Sequence, residues 1–327
     1  MITEPAVGYG GGLGLLFFRG SLAKPAEPGA PRRFAPPDIT AVAALGTENG
    51  TRGAAAGHLG FSDDRRWRYA AAAAGASLNL AWYGAPGLAG GERSEGIDFN
   101  LEARGGIVDV RRRFGESEWW AGLRYAAANV KSRFALETPG DVTAPQLDAT
   151  LSGLGVVVEY DGRDNIFTPN DGVRLHATVL RFDEAIGSDQ EFSRGRIALN
   201  SFHPVGRSLV VGIRAELQAV DGDVPFYARP FIELRGIPAL RYQGDRVALA
   251  EIEGRWSLDG RWSLVAFAGA GRAASGSGDL GSAPTRTTLG LGVRYLLVRA
   301  LGMQVGIDVA RGPEDEAIYL IAGSSWR

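Results

Sequence analysis

The sequence has no cysteine and only two methionines and three histidines among its 327 residues. Without cysteine the protein has no disulfide bond, no cysteine-ligated zinc or iron–sulfur cluster and no thiol catalysis. It also lacks any run of about 18 consecutive apolar residues, which excludes a transmembrane helix. The formal net charge is only −2, so charge gives no reason to expect a nucleic-acid partner.

Other recognisable signals are missing as well. The first five residues have neither the positive segment nor the apolar stretch of a signal peptide, so either the protein is cytoplasmic or its export signal lies outside this sequence. The three histidines are isolated from one another, so we expect neither a metal site nor a cofactor. The glycine-rich segment Gly8–Gly14 fits no Gly-x-Gly-x-x-Gly register and predicts a glycine-rich hairpin, not a nucleotide loop.

The most informative feature that is present is an alternation of side chains between Arg207 and Val220. Apolar residues occupy one parity and polar or charged residues the other: Leu209, Val211, Ile213, Ala215, Leu217 and Ala219 against Arg214, Glu216 and Gln218. Successive side chains of a strand point to opposite faces, so this segment predicts a strand with one apolar and one charged face. Its length suits a tilted membrane-spanning strand of about 9–11 residues.

The same alternation recurs, with short polar turns (63–65, 115–118 and 258–261) alternating with longer loops (85–96, 135–149, 222–244 and 272–283). This is typical of an outer-membrane barrel. The alanine-rich run 69–79 has no helix cap and is interpreted as a strand of small residues. The pattern predicts fifteen strands: 11–20, 38–47, 51–62, 66–83, 97–113, 118–134, 151–161, 172–183, 191–204, 208–221, 246–257, 261–271, 286–298, 302–311 and 316–326.

Bacterial single-chain barrels have an even number of strands, so we expect a sixteenth, the first, of which only Met1–Thr3 remain. On this interpretation Met1 is not the biological start. The predicted fold is all-β, a transmembrane antiparallel barrel that forms a single domain over residues 1–327. A soluble β-sandwich is the alternative, and the strand number argues against it. All seven tryptophans fall near predicted strand ends, where an aromatic girdle is expected.

Two connections between predicted strands have an unusual composition. In the first, Glu159–Asn165 is followed by Pro169–Gly172; it lacks the calcium-loop pattern and predicts a structured turn. The second, Leu234–Gly244, is an apolar, proline-containing loop with two arginines. If this loop folds into a polar lumen, its first arginine, Arg235, can pair with an inward carboxylate. A solvated loop arginine is the alternative, and spacing does not decide between them.

Together the two segments resemble the bacterial surface-antigen superfamily of outer-membrane barrels, the group that includes BamA and TamA. The turn matches that family's Asp-x-Arg-Asp-Asn…Pro-x-x-Gly pattern at Asp161, Arg163, Asp164, Asn165, Pro169 and Gly172. The loop loosely matches its Val-Arg-Gly-Phe/Tyr motif at Leu234–Ile237, and Glu253 with Arg255 matches a Glu-x-Arg pair. The match is good over residues 150–327. Before residue 150 only the regular alternation of strands and connections is similar.

This resemblance implies that Arg235 enters the lumen and contacts Glu251, Glu253 or Asp308. We call Arg235, Gly236, Glu251, Glu253, Arg255 and Asp308 the loop-lock residues. Ile237 replaces the usual aromatic residue, which weakens the expected packing in the lumen. The 327 residues show no counterpart of the family's periplasmic POTRA domains, so we expect a barrel domain alone. The segment Gly323–Trp326 resembles a truncated assembly signal.

The resemblance implies a protein of the bacterial outer membrane that assists protein insertion or translocation and is not an enzyme. The expected partners are outer-membrane lipid and unfolded β-barrel clients, with no nucleic acid, and a monomeric state. One alternative is a structural or plugged barrel without clients. A lipid hydrolase ranks last, because the chain has three histidines and no Gly-x-Ser-x-Gly elbow. We expect no catalytic residue.

Overall fold

The computed structural model describes residues 2–4, 6–20, 37–84, 95–134, 146–276 and 278–326. The predicted loops 85–96 and 135–149 lie mostly outside these ranges. The described strands are β1 (Ile2–Glu4), β2 (Gly8–Arg19), β3 (Asp38–Thr47), β4 (Arg52–Phe61), β5 (Trp67–Trp82), β6 (Ile97–Arg113), β7 (Trp119–Phe134), β8 (Gln146–Asp161), β9 (Gly172–Phe182), β10 (Phe192–Val205), β11 (Leu209–Gly222), β12 (Arg246–Ser257), β13 (Trp262–Ala274), β14 (Arg286–Val298), β15 (Met303–Arg311) and β16 (Glu316–Ala322).

These sixteen strands form one antiparallel sheet in which each strand pairs with the next along the chain. The sheet curls round until β1 lies beside β16. Within the described residues, however, no paired ladder joins these two strands. Three 3-10 helices, Glu184–Ile186, Phe226–Ala228 and Arg299–Leu301, lie in connections, and none of the described helices has the length and hydrophobicity needed to cross a membrane.

The alternation predicted from the sequence separates an apolar outside from a polar inside. On β14, Leu289 and Leu291 are 61% and 67% exposed, and Ile307 on β15 is also exposed. Their neighbours of opposite parity, Arg294 and Asp308, are buried in the interior. Because exposed apolar side chains form the outer face of nearly every strand, this face suits a lipid environment.

The long connection after β11 and the short turns that follow β4, β6, β10 and β12 lie at opposite ends of the strands. In outer-membrane barrels the short turns are periplasmic and the longer loops extracellular. The β11–β12 loop therefore enters from the extracellular end, and the β8–β9 turn lies at the periplasmic end.

The alanine-rich segment is part of a strand, β5, as expected. The glycine-rich segment Gly8–Gly14 begins β2, and its first three residues pair with β1 in an antiparallel hairpin, as expected. The tryptophan girdle is only partly correct. Four of the seven are exposed at strand ends, whereas Trp120 and Trp326 are buried inside the barrel. Trp119 and Trp120 are adjacent on one strand, so only one of them can face outward.

The hydrophobic core lies inside the barrel, towards the extracellular end, and the β11–β12 loop supplies much of it. Phe226 packs against Phe99 and Phe134, with ring centroids 5.1 and 5.2 Å away. Further along the loop, Ile232, Leu234 and other residues form a second buried cluster with inward side chains of β12 and β13. The barrel is thus filled by its own loop, and this filling positions the site described next.

Candidate functional site

The β11–β12 loop turns back on itself inside the barrel. Gly244 N donates to Pro230 O at 3.0 Å and Ile232 N donates to Tyr242 O at 3.1 Å, so the two arms of the loop are tied together. The arms bring apolar side chains inward, and Ile237, where the family has an aromatic residue, is buried among them. Burial of these side chains offsets the entropy that a long loop loses on ordering.

The tip of this loop places the Arg235 guanidinium among three carboxylates. Nη1 lies 2.6 Å from Asp308 Oδ2, Nη2 lies 2.8 Å from Glu253 Oε2, and Nη2 also donates to Glu251. The guanidinium carbon stands 3.4 Å from the centre of the Phe267 ring. Burial by itself would lower the pKa of Arg235, but the facing carboxylates raise it, so the side chain stays charged.

Asp308 is shared between two arginines, which balances part of the acidic charge. Arg294 on β14 donates to both oxygens of this carboxylate, from Nη2 at 2.9 Å and from Nη1. Asp308 is fully buried, and Arg294 is almost so. A carboxylate enclosed in this way needs both guanidinium partners, because a buried charge without partners is costly.

The backbone next to Arg235 packs closely against the β15–β16 hairpin. Gly236 has a φ of +91°, and its N–H donates to the Tyr319 hydroxyl of β16 at 2.9 Å. A Cβ on Gly236 would lie 2.8 Å from Gly312 N and 2.9 Å from Arg311 C, in the β15–β16 turn. The loop tip is therefore in direct backbone contact with the last hairpin of the sheet.

A segment after β16 reaches the same cluster from the opposite end of the barrel. Gly323 has a φ of +79°, and the chain beyond it enters the lumen. Trp326 is buried there and its Nε1 donates to Glu251 at 2.6 Å, while Ser325 Oγ is 3.3 Å from Arg235 Nη1. Neither residue was expected at this cluster, since Trp326 was predicted to belong to the aromatic girdle and both residues to the last strand. The inward parity of Arg294 on β14 could have identified that arginine.

Arg255 does not contact the Arg235 cluster, so its inclusion among the loop-lock residues is wrong. Its side chain is buried, and Nη2 donates to Pro169 O at 2.7 Å and to Asn170 Oδ1 at 2.6 Å. It therefore holds the β8–β9 turn. Arg255 has the correct inward parity, but it lies nearer the periplasmic end of β12 than Glu251 does.

The β8–β9 turn, which carries the turn motif, is held by hydrogen bonds between its own residues. Arg163 donates to both oxygens of Asp161 at 2.8 Å, and Asp164 Oδ1 accepts the N–H of Asn170 at 2.9 Å. Asn165 Nδ2 donates to Leu301 O at 2.9 Å, in the β14–β15 connection. Since β9 and β14 are far apart in the sheet, the turn extends across the periplasmic end of the lumen.

We expect Arg255→Ala to loosen this turn. The change removes two charged hydrogen bonds and should cost about 2 kcal/mol of local stability. Trypsin should then cleave after Arg163 roughly tenfold or more faster, as local opening limits cleavage. Mass spectrometry of the fragments measures the rate. Arg299→Ala, at an exposed arginine of the same end, is the control; equal cleavage in both variants would contradict the role of Arg255.

A second buried charge cluster lies on β5 to β9. Glu159 is almost completely buried and accepts from three arginines: Arg68 at 2.6 Å, Arg111 at 2.7 Å and Arg174 at 3.2 Å. Asp109 pairs with Arg111 at 2.6 Å. No cluster of three or more His, Cys, Asp or Glu side chains suited to a metal ion occurs within the described ranges.

Comparison with known proteins identifies the family. The Omp85 superfamily domain matches residues 50–309, about four-fifths of the chain. The chain belongs to the Omp85 superfamily. The resemblance to BamA-like barrels that the two motifs indicated is therefore confirmed, as is the all-β barrel fold. No curated protein matches the chain.

Two solved Omp85 structures share the fold. The crystal structure of BamA from Haemophilus ducreyi lacking POTRA domains 1-3 has a TM-score of 0.61 and 10% identity, over 98% of this chain and 68% of that chain. CdiB from Acinetobacter baumannii has a TM-score of 0.53 and 9% identity, over 86% of this chain and 52% of CdiB. The chain thus spans about half the length of CdiB. Omp85 barrels are outer-membrane proteins and are typically non-enzymatic transporters or insertases.

Proposed function

We propose that this Omp85 barrel assists the insertion or translocation of proteins at the outer membrane, with unfolded β-barrel chains as clients. The observation that carries the proposal is the seam between β1 and β16. Within the described residues β16 pairs with β15 over Glu316–Ala322 and forms no ladder with β1. A seam without a continuous ladder is where two strands separate at least cost, and the separated edges can then pair with an incoming strand.

Tight pairing elsewhere supports the seam as the place that opens. Each neighbouring pair from β2 to β16 is joined by a ladder, such as the fourteen residue pairs between β10 and β11, and the β14–β15 ladder has a register shift between Leu296 and Val298. Opening any of these ladders would break many hydrogen bonds at once, and in lipid such groups have no other partner. Among the residues that the structure describes, no ladder of this kind closes the seam.

In this proposal the Arg235 cluster holds the loop inside the barrel next to the seam. Gly236 bonds Tyr319 of β16, and Arg235 bonds Asp308 of β15. Arg235 and Gly236 thus connect the lumen-filling loop to the two strands that end the sheet. We further propose that residues 1–327 act as one monomeric domain in lipid and have no catalytic activity.

Liposome reconstitution tests the activity. A urea-unfolded outer-membrane barrel is added to vesicles with and without the protein, and its heat-resistant folded form is followed on gels. We expect at least a tenfold faster appearance of the folded client with the protein. Equal rates would instead favour the second candidate, a plugged barrel without clients, which the loop-filled lumen also fits.

Crosslinking tests the seam directly, and a chain without native cysteine is well suited to it. Cysteines are placed in turn at the three residues of β1, each combined with Ile318→Cys or Leu320→Cys. The control disulfide joins Val309→Cys to Ile318→Cys, which are direct partners in the β15–β16 ladder. We expect seam disulfides to abolish client folding and the control to leave it unchanged; activity in a fully crosslinked seam would contradict the proposal.

A further inference from the structure

The second charge cluster borders a cavity that the proposed function does not use. The cavity has a volume of about 700 Å³, within the range of small-ligand pockets. It lies at the periplasmic end of the lumen, between the inward faces of β5, β6 and β8, the β8–β9 turn and the segment after β16. Six arginines and four carboxylates line it, and Phe61, Trp120 and Phe167 form part of its wall.

The charges around this cavity do not balance. Two of the pairs are neutral: Arg163 with Asp161, and Arg113 with Glu118. The remaining carboxylates, Asp109 and Glu159, are shared among three arginines of the cavity wall, Arg68, Arg111 and Arg174, and a fourth behind it, Arg124, which pairs with Asp109. The cluster therefore has two more positive charges than negative ones, in a place where uncompensated charge is costly.

Two of these arginines have donors to spare. Arg68 binds Glu159 Oε1 through Nη2 only, and Arg174 binds Glu159 Oε2 through Nη2 only. Arg174 Nε is buried and has no partner among the described residues. Arg111, by contrast, uses all three of its nitrogens on Asp109 and Glu159. Arg68 and Arg174 thus reach the same carboxylate and each offers further N–H groups beside it.

We propose that this cavity binds an oxyanion of the phosphate class, held by Arg68 and Arg174. Planar guanidinium groups suit the oxygen spacing of phosphate and bind it through paired hydrogen bonds. A dianion would match the charge surplus of the cluster. The aromatic wall, where the Arg68 guanidinium lies 4.9 Å from the centre of the Trp120 ring, leaves room for an apolar substituent on the phosphate.

Calorimetry on the full protein in a zwitterionic detergent tests the site with two probes. Inorganic phosphate represents a free anion, and short-chain dihexanoylphosphatidylglycerol, below its micelle concentration, represents a lipid headgroup. We expect saturable binding at one site. The Kd should not change when part of the buffer is replaced with sodium chloride at equal ionic strength. At least tenfold tighter binding of the lipid indicates a headgroup as the source, and similar affinities indicate a free anion.

Three variants define the residues involved. Arg68→Gln and Arg174→Gln should each raise the Kd at least tenfold. Arg181→Gln removes an exposed arginine from the other end of β9, the strand that carries Arg174, and should leave the Kd unchanged. Absence of saturable binding of both probes to the unmodified protein, or equal affinity in all three variants, would overturn the proposal.

A measurement on the unmodified protein avoids any folding defect in the variants. Phenylglyoxal modifies accessible arginines, and peptide mass mapping locates the modified residues. We expect saturating phosphate to slow modification of Arg68 and Arg174 at least tenfold and to leave the exposed Arg207 unaffected. Equal rates with and without phosphate would contradict the site. This result does not depend on client insertion, so it can fail while the proposed function holds.

Discussion

Replacing Arg235 with alanine is expected to remove most of the heat-resistant folded barrel. The substitution leaves Glu251, Glu253 and Asp308 facing one another inside the lumen without the guanidinium that they share. Breaking a buried ion pair by removing one partner costs about 3–5 kcal/mol, since the remaining charge stays buried. Mutual repulsion of three carboxylates adds to that cost.

The measurement is the temperature at which the folded band disappears in a gel-shift series. Arg207→Ala, at an exposed arginine of the β10–β11 turn, is the matched control and should change nothing. Arg235→Lys should restore only part of the stability, because an ammonium group cannot form the forked contacts of a guanidinium. An alanine variant as heat-resistant as the control would show that the Arg235 contacts do not hold the loop.

Gly236→Ala is expected to displace the loop tip even though the Arg235 side chain is retained. The φ of +91° disfavours any residue with a Cβ, and the added carbon would press against the backbone of Arg311 and Gly312. Together the backbone strain and the overlap should destabilise the native position of the loop tip by about 2–4 kcal/mol. The same overlap should occur from the other side in Gly312→Ala, whose Cβ would meet Gly236 O.

Protection of the loop from proteases in the folded barrel measures this displacement. Trypsin should cut after Arg235 or Arg241 in the Gly236→Ala protein and leave the unmodified loop intact. Gly260→Ala is the control, because that turn glycine has open space where a Cβ would be added. If Gly236→Ala and Gly260→Ala are equally resistant, the loop tip tolerates movement that the close backbone contact should forbid.

The sequence predicted the strands well because a strand has a side-chain period of two that is visible in any single segment. Most predicted boundaries agree with the structure to within two residues, and β8 begins earlier than expected, at Gln146. Parity also agrees with the inward positions of Glu251, Glu253 and Asp308, which the family resemblance indicated as partners of Arg235. Parity could not show that Arg255 binds the β8–β9 turn and not the Arg235 cluster. It gives the face of the strand on which a side chain lies, but not the height along the barrel at which that side chain meets its partner.

Contacts across the lumen were beyond the reach of the sequence for a related reason. Phe267 and Ser325 meet Arg235, and Arg294 and Trp326 meet its carboxylate partners, only because the sheet curls, the loop descends from one end and the segment after Gly323 enters from the other. The cavity beside Arg68 and Arg174 arises in the same way, from strands separated by more than 90 residues. The side-chain periodicity of the sequence indicates none of these contacts.

By itself, then, the sequence determined a membrane barrel with a polar interior, because apolar and polar side chains must segregate to opposite faces of every strand that crosses lipid. It also marked the arginine loop and the aspartate-rich turn as unusual. Only the tertiary structure decided which carboxylates surround Arg235, that Arg255 holds the turn, and where positive charge exceeds negative. Those outcomes depend on barrel curvature and on the paths of the loop and the final segment, which bring together side chains that no local pattern connects.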